Sequence, residues 1–372
     1  MFPKDIKFIF FRRKIKTDGI VLVIHESNRL GASLLLLHTA EELVKHNKNV
    51  YIISLQFGEL NKEYNKIAPV QIIFSKFRFK ITLRKLKKQY GYKKILMITA
   101  AIGDFVKSAN DLDYQIISEI HELPFVIKSL GLINATKSML IYSDNVIFST
   151  EFAKEEILNL TNTKDSSKFV VRPQGTYFKK PVAEKINYEE RILRGKYPVI
   201  IDKKVVIGIG NTSKRKGFDI FADVARKMPQ YIFIWAGRKE NFFNVVKKEK
   251  NGLSDNLIYL GQLNDEQLAG VYSIASVLLL SSRVDTLPST IFEALLFSVP
   301  VIGAKTSGGV TEVINNMQNG LLTNETSVNA FICAINECFS SPIQEKLCQH
   351  FNKTSFNSSF SDYVSFIIHL YS

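Results

Sequence analysis

Residues 285–312 read DTLPSTIFEALLFSVPVIGAKTSGGVTE. The apolar run 277–280 before them predicts a buried strand, and 291–297 predicts a helix. Asp285 and Glu293 lie eight positions apart, so they bracket the strand-to-helix loop Thr286-Leu287-Pro288-Ser289-Thr290. The start of such a helix offers unpaired backbone N–H groups that suit a phosphate. Carboxylates on either side of it suit sugar hydroxyls.

A second loop of this kind lies upstream. Residues 208–217, GIGNTSKRKG, follow a strand-like run. Gly210 permits a tight turn, and Gly217 lets the next helix start close to the loop. Lys214, Arg215 and Lys216 put positive charge beside that helix start, which favours a pyrophosphate. The pattern also suits an ordinary turn with solvated lysines.

Here the chain resembles a known family, the retaining GT-B glycosyltransferases of family 4. Their signature is an acidic residue, seven residues, then Glu, followed by a Pro-Val strand and a Gly-Gly-x-x-Glu turn. This sequence has Asp285, Glu293, Pro300-Val301, and Gly308-Gly309 with Glu312. Asp285 stands where most members have Glu. Lys216-Gly217 matches the family's Lys-Gly, but Asn211 stands where an Arg is usual, and we expect Arg215 to supply that cation. The resemblance implies a donor site of Gly31, Gly210, Arg215, Lys216, the loop Thr286, Leu287, Pro288, Ser289 and Thr290, and Glu293. It places Glu293 on the donor ribose and Asp285 on the donor sugar.

Two N-terminal segments join the resemblance. Residues 118–124, SEIHELP, follow a strand predicted at 114–118. A His at such a strand end can bond a sugar hydroxyl or neutralise developing charge; taken alone, a histidine there is more often structural. The family has a His here, which implies a catalytic set of His121, Asp285 and Glu293. Residues 25–33, HESNRLGAS, follow the first strand, and Gly31 matches the family's Gly-rich turn. His25, Glu26 and Glu122 are expected on the acceptor side. No G-x-G-x-x-G is present, which argues against a nicotinamide or flavin enzyme.

Alternating strands and helices run throughout, as in parallel sheets with crossover helices. The expected architecture is α/β: GT-B, two doubly wound Rossmann-like domains facing across a cleft. The expected division is 1–190 for the acceptor-side domain, 191–345 for the nucleotide-sugar domain, and 346–372 for a helix crossing back to the first. Residues 187–203, NYEERILRGKYPVIIDK, read as the interdomain linker.

The 372 residues suffice for two cores, and 46% apolar with 23% charged residues is ordinary for a globular protein. No run approaches a membrane span, and the start is too charged for a secretory signal. The cysteines, Cys333, Cys338 and Cys348, fit no metal template and suit a reducing cytoplasm. Asp111-Leu-Asp113 reads as a surface turn, so no metal or cofactor is expected. The net charge is +14, which favours polyanionic partners. Residues 76–94, KFRFKITLRKLKKQYGYKK, carry no acid and interleave apolar residues. This suits peripheral contact with an anionic membrane or a solvated helix, and 1–16 has the same character. The charge alone would also allow nucleic acid, but no such module is present.

The expected function is a metal-independent, cytoplasmic, hexosyltransferase-type enzyme at the inner membrane face. It would move sugar from a nucleoside-diphosphate donor to a glycan or lipid-linked acceptor with retention, in bacterial surface polysaccharide (O-antigen, lipopolysaccharide or capsule) biosynthesis. The rival reading is a non-catalytic GT-B-like glycan- or partner-binding protein.

Overall fold

The computed structural model describes residues 19–29, 31–353 and 359–372, so the basic segment 1–16 lies outside them. The chain divides into two compact units: residues up to Tyr177 together with Phe360–Ser372, and Phe178–Ser359.

The first unit holds β1 (Gly19–Ile24), β2 (Asn49–Ser54), β3 (Val70–Ile72), β4 (Lys94–Ile98), β5 (Gln115–Ile120), β6 (Asn145–Phe148) and β7 (Phe169–Val171). They form one parallel sheet in the order β3-β2-β1-β4-β5-β6-β7. Both faces are covered, so the strands read as continuous apolar runs. In β1, Val21 and Val23 enter one core while Ile20, Leu22 and Ile24 enter the other. That second core is completed by helix Phe360–Leu370, which buries Phe360, Tyr363, Val364 and Ile367.

The second unit holds β8 (Val205–Ile209), β9 (Ile232–Ala236), β10 (Leu257–Gly261), β11 (Val277–Leu279), β12 (Val301–Ala304) and β13 (Gly320–Thr323). They form a parallel sheet in the order β10-β9-β8-β11-β12-β13. Each sheet is thus a doubly wound Rossmann-like layer, and together they make the GT-B fold. Strand order reverses between β1 and β4 in the first sheet and between β8 and β11 in the second. Ligands of such sheets sit beyond the carboxyl ends of the strands at these reversals.

Two expectations change. The segment read as a linker is mostly helix: Ala183–Lys196, then a short 3-10 turn at Pro198–Ile200. This helix lies on helix Asp265–Ile274 within the second unit. A Cβ on Gly270 would come within 2.6 Å of the Glu189 Cβ, so glycine is what lets the two helices close. Ser273 donates to Glu190 at 3.2 Å across the contact. The charged sequence belongs to a helix that buries none of its residues fully. The strand predicted at 114–118 runs instead over Gln115–Ile120, which puts Glu119 inside β5 and His121 directly after it.

The basic segment forms helix Lys76–Tyr90, capped by Ser75 and closed by Gly91 in the left-handed conformation. Phe79, Leu83 and Leu86 face the core, whereas Phe77 is 75% exposed and Ile81 47% exposed. Asp111 pairs with Lys80 at 2.8 Å, as a surface turn. No helix among the described residues is long and apolar enough to cross a membrane.

Candidate active site

In the second unit, four loops meet beyond β8 and β11. The first turns at Gly210 (φ +149°) and Gly217 (φ +70°). A Cβ on Gly217 would lie 1.9 Å from the Ser281 carbonyl oxygen. The glycine therefore lets helix Phe218–Lys227 begin against the end of β11. The Trp235 indole donates to the Gly210 carbonyl at 2.8 Å and fixes the turn from β9.

Onto this frame the sequence projects two cations. The Lys216 ammonium donates to the Asp285 carboxylate, and the Arg215 guanidinium lies 3.4 Å from the same oxygen. Arg215 also donates to the Val284 carbonyl at 3.1 Å. Burial alone would lift the Asp285 carboxyl, but the Lys216 and Arg215 charges outweigh it and hold it below the ordinary range. Asp285 is itself set by its backbone: its N–H donates to the Ser307 carbonyl at 2.7 Å, and Gly309 N–H donates to Thr286 at 3.1 Å.

The Asp285–Thr290 loop runs into helix Ser289–Leu296, whose first turn has no side-chain cap. Glu293 is buried one turn into that helix and accepts from the Tyr272 hydroxyl at 2.9 Å. Burial lifts its carboxyl above the ordinary range, against the hydrogen bonds from Tyr272 and Ser289. The Thr290 hydroxyl oxygen is buried without a hydrogen-bond partner. Leu287 and Pro288 are buried and hold the loop down. Asn211 is turned elsewhere: its amide donates to Glu240 and accepts from Ser213.

Arg283 was not singled out from the sequence. Its guanidinium grips Asp219 through two bonds, 2.8 and 2.7 Å, and donates to the Lys214 carbonyl at 2.7 Å. It thereby ties the cationic loop to the end of β11. An Arg two residues before the signature acid was the available signal.

In the first unit, the carboxyl ends of β1, β4 and β5 carry the other residues. His25 bonds Glu26 at 3.0 Å through Nε2 and Thr99 at 3.0 Å through Nδ1. Glu26 also accepts from Asn28 at 2.6 Å. Glu122 turns back to accept from the backbone of Ala100, at 3.0 Å, and of His121, at 3.2 Å. It joins the ends of β4 and β5, a bracing role. Gly31 opens helix Gly31–Lys45 with open space where a Cβ would be.

His121 bonds the Glu119 carboxylate through Nε2 at 2.9 Å. Burial lowers its affinity for a proton, but Glu119 and the charge of Glu122 outweigh burial, so the imidazole titrates above its ordinary range. Glu119 and Thr99 were also missed. Glu119 is two residues from His121, the spacing that shares one face of a strand. Thr99 adopts φ +83°, a backbone state rare for a β-branched residue and common at functional sites. Nothing in its sequence signals it. Among the described residues, no three His, Cys, Asp or Glu side chains gather so as to hold a metal ion.

The chain is similar to known proteins. Residues 190–357 match the family described as glycosyl transferases group 1. The alpha-galactosylglucosyldiacylglycerol synthase of Streptococcus pneumoniae is 33% identical over 103 residues, 26% of this chain and 28% of that protein. An uncharacterized glycosyltransferase of Haemophilus influenzae is 21% identical over 84% of this chain and 87% of its own. The structure of Anabaena HepE in complex with UDP superposes with a TM-score of 0.78, 17% identity, and coverage of 94% and 99%. Residues 190–357 thus carry the sequence pattern of the group 1 glycosyl transferases, and the two Rossmann-like sheets have the fold of the HepE structure, the GT-B fold.

Proposed function

We propose that this protein transfers a sugar from a nucleoside-diphosphate donor to a glycan or lipid-linked acceptor with retention of configuration. The observation that carries this reading is the meeting of Lys216 and Arg215 on Asp285 beside the uncapped start of helix Ser289–Leu296. Two cations and a helix start form a cradle for a diphosphate. The N–H groups of Ser289 and Thr290 complete it. Glu293 takes the ribose, and Asp285 takes a hydroxyl of the donor sugar. UDP is bound in the HepE complex, which supports a uridine donor.

The bond from the anomeric carbon to the diphosphate breaks with its electron pair leaving on phosphate. The acceptor oxygen attacks the same face, and its proton passes to the departing diphosphate. No side chain is assigned as nucleophile. Fixed cations stabilise the charge on the leaving group, a dominant effect in such sites. Lys216 and Arg215 supply that charge without a metal, so activity is expected to survive EDTA. His121 serves the transfer step, while His25, Glu26 and Glu122 shape the acceptor side.

The acceptor is read as lipid-linked and the setting as surface-polysaccharide assembly at the inner membrane face. Phe77 and Ile81 are exposed on a helix that also carries Arg78, Arg84, Lys85 and Lys88, a pairing suited to anionic lipid. The pneumococcal relative is named for a diacylglycerol product, which agrees.

One observation favours a second reading, binding without turnover. Asn211 contributes no cation and is engaged by Glu240.

The test is thermal stabilisation by UDP, GDP and dTDP, with and without Glu293→Ala, followed by turnover of the matching nucleotide sugar. Stabilisation of the wild type alone, with turnover, upholds the transfer reading. Stabilisation without turnover, or no stabilisation of the folded protein at millimolar nucleotide, overturns the transfer reading and puts the second ahead.

A further inference from the structure

Glu119 is a carboxylate with no exposed surface, set in β5 of a parallel sheet. Its neighbours Ile117 and Ile120 are buried and apolar, and sheet pairing asks nothing of its side chain. A buried carboxylate costs several kcal/mol unless it is paired. Its Oε2 bonds His121 at 2.9 Å. Its Oε1 has no hydrogen-bond partner.

The side away from His121 is closed by helix Phe360–Leu370 and the residue after it. Tyr363 and Tyr371 are both buried. Burial, and then the negative charge of Glu119, push their ionisation far up, so both rings stay neutral. Arg172 acts on Tyr363 and Asp144 on Tyr371. On the His121 side Glu122 also carries charge. Among these groups, only His121 balances the Glu119 charge at hydrogen-bond distance.

We propose that Glu119 is the positioning residue for His121: its carboxylate accepts the hydrogen bond from the Nε2–H, fixes the ring's orientation, and keeps the ring protonated for the transfer step. This rests on the transfer reading for its catalytic meaning. Helix Phe360–Leu370 forms the wall behind the pair, where Tyr363 is a neutral hydrogen-bond partner of Glu119.

The test uses the full chain and follows the His121 ring by NMR as pH is varied, with His121→Asn to assign the signal. Glu119→Gln keeps an acceptor and removes the charge. The expected result is a fall in the His121 midpoint of about one pH unit or more. An unchanged midpoint overturns the proposal. In parallel, hydrolysis of UDP-glucose is measured against pH. The alkaline limb of kcat should move down by the same amount, with KM changed less than about threefold. A carboxylate that only filled space would lower the melting temperature and move neither the midpoint nor the limb.

If Glu119→Gln does not fold, Glu119→Asp replaces it. It keeps the charge on an arm one methylene shorter, and a midpoint equal to wild type with full turnover would overturn the proposal. If the midpoint falls but neither UDP-glucose nor GDP-mannose is consumed by the wild type, the transfer reading fails and the coupling of Glu119 to His121 stands.

Discussion

The Lys216 ammonium and the Asp285 carboxylate form an ion pair across sixty-nine positions of sequence. The cation assigned to the donor diphosphate is therefore held in place by the acid assigned to the donor sugar. The Lys216 stem also lies 3.3 Å from where a Cβ on Gly210 would stand, so the turn and the cation constrain each other. Lys216→Ala leaves Asp285 mostly buried with only Arg215 nearby. It should cost about 1–3 kcal/mol in urea unfolding and abolish stabilisation by nucleotide. Arg215→Ala, at a more exposed side chain, should weaken nucleotide binding with little change in unfolding.

Glu293 and Tyr272 share one buried hydrogen bond of 2.9 Å. Tyr272→Phe leaves a buried carboxylate without its hydroxyl donor and should cost about 1–3 kcal/mol. Glu293→Gln removes the charge yet can still accept from Tyr272. It should unfold near the wild-type denaturant concentration while losing nucleotide affinity, which calorimetric titration with UDP would read.

Gly217→Ala places a methyl against the Ser281 carbonyl in a left-handed backbone. Both effects act in the same direction, and about 3 kcal/mol of stability should be lost. Gly31→Ala, where the added Cβ meets open space, should leave stability within about 0.5 kcal/mol.

Asp285 and Glu293 make stability respond to pH with opposite signs. The Asp285 carboxyl is lowered in the fold, so its contribution is present above its ordinary 3.8 and is lost as pH falls through the lower folded value. The Glu293 carboxyl is raised, so stability declines as pH climbs from its ordinary 4.5 through the folded value. Unfolding free energies between pH 3 and pH 7 should show this decline in the wild type and not in Glu293→Gln. Asp285→Asn should remove the loss at the acid end.

The parts of the site read from sequence were those in which chemistry and turn geometry share one short stretch. Asp285 and the Lys216-Gly217 pair sit in loops after strands, and Glu293 in the helix that follows one, where glycine, proline and charge stand out from apolar runs. Arg283 was hidden because its partner Asp219 lies sixty-four positions away, and nothing local marks the pairing. Glu119 was hidden because the strand was ended one residue before it. The charge of helix Ala183–Lys196 reads locally as a linker, and its packing of Glu189 on Gly270 and of Glu190 on Ser273 is a tertiary contact with no mark in its own sequence. Thr99 bonds His25 through its hydroxyl and donates its N–H to the Glu119 carbonyl, and both partners are distant in sequence.

The return of Phe360–Ser372 to the first unit bears on the order of assembly during synthesis. Chains fold as they emerge, domain by domain. The second unit is one continuous stretch and can close while the ribosome is still working. The first unit is begun earlier, yet the tyrosines that seal its core behind Glu119 are translated only after the whole second unit. The unit begun first is finished after the second, and until Phe360–Ser372 emerges its apolar back remains open to chaperones.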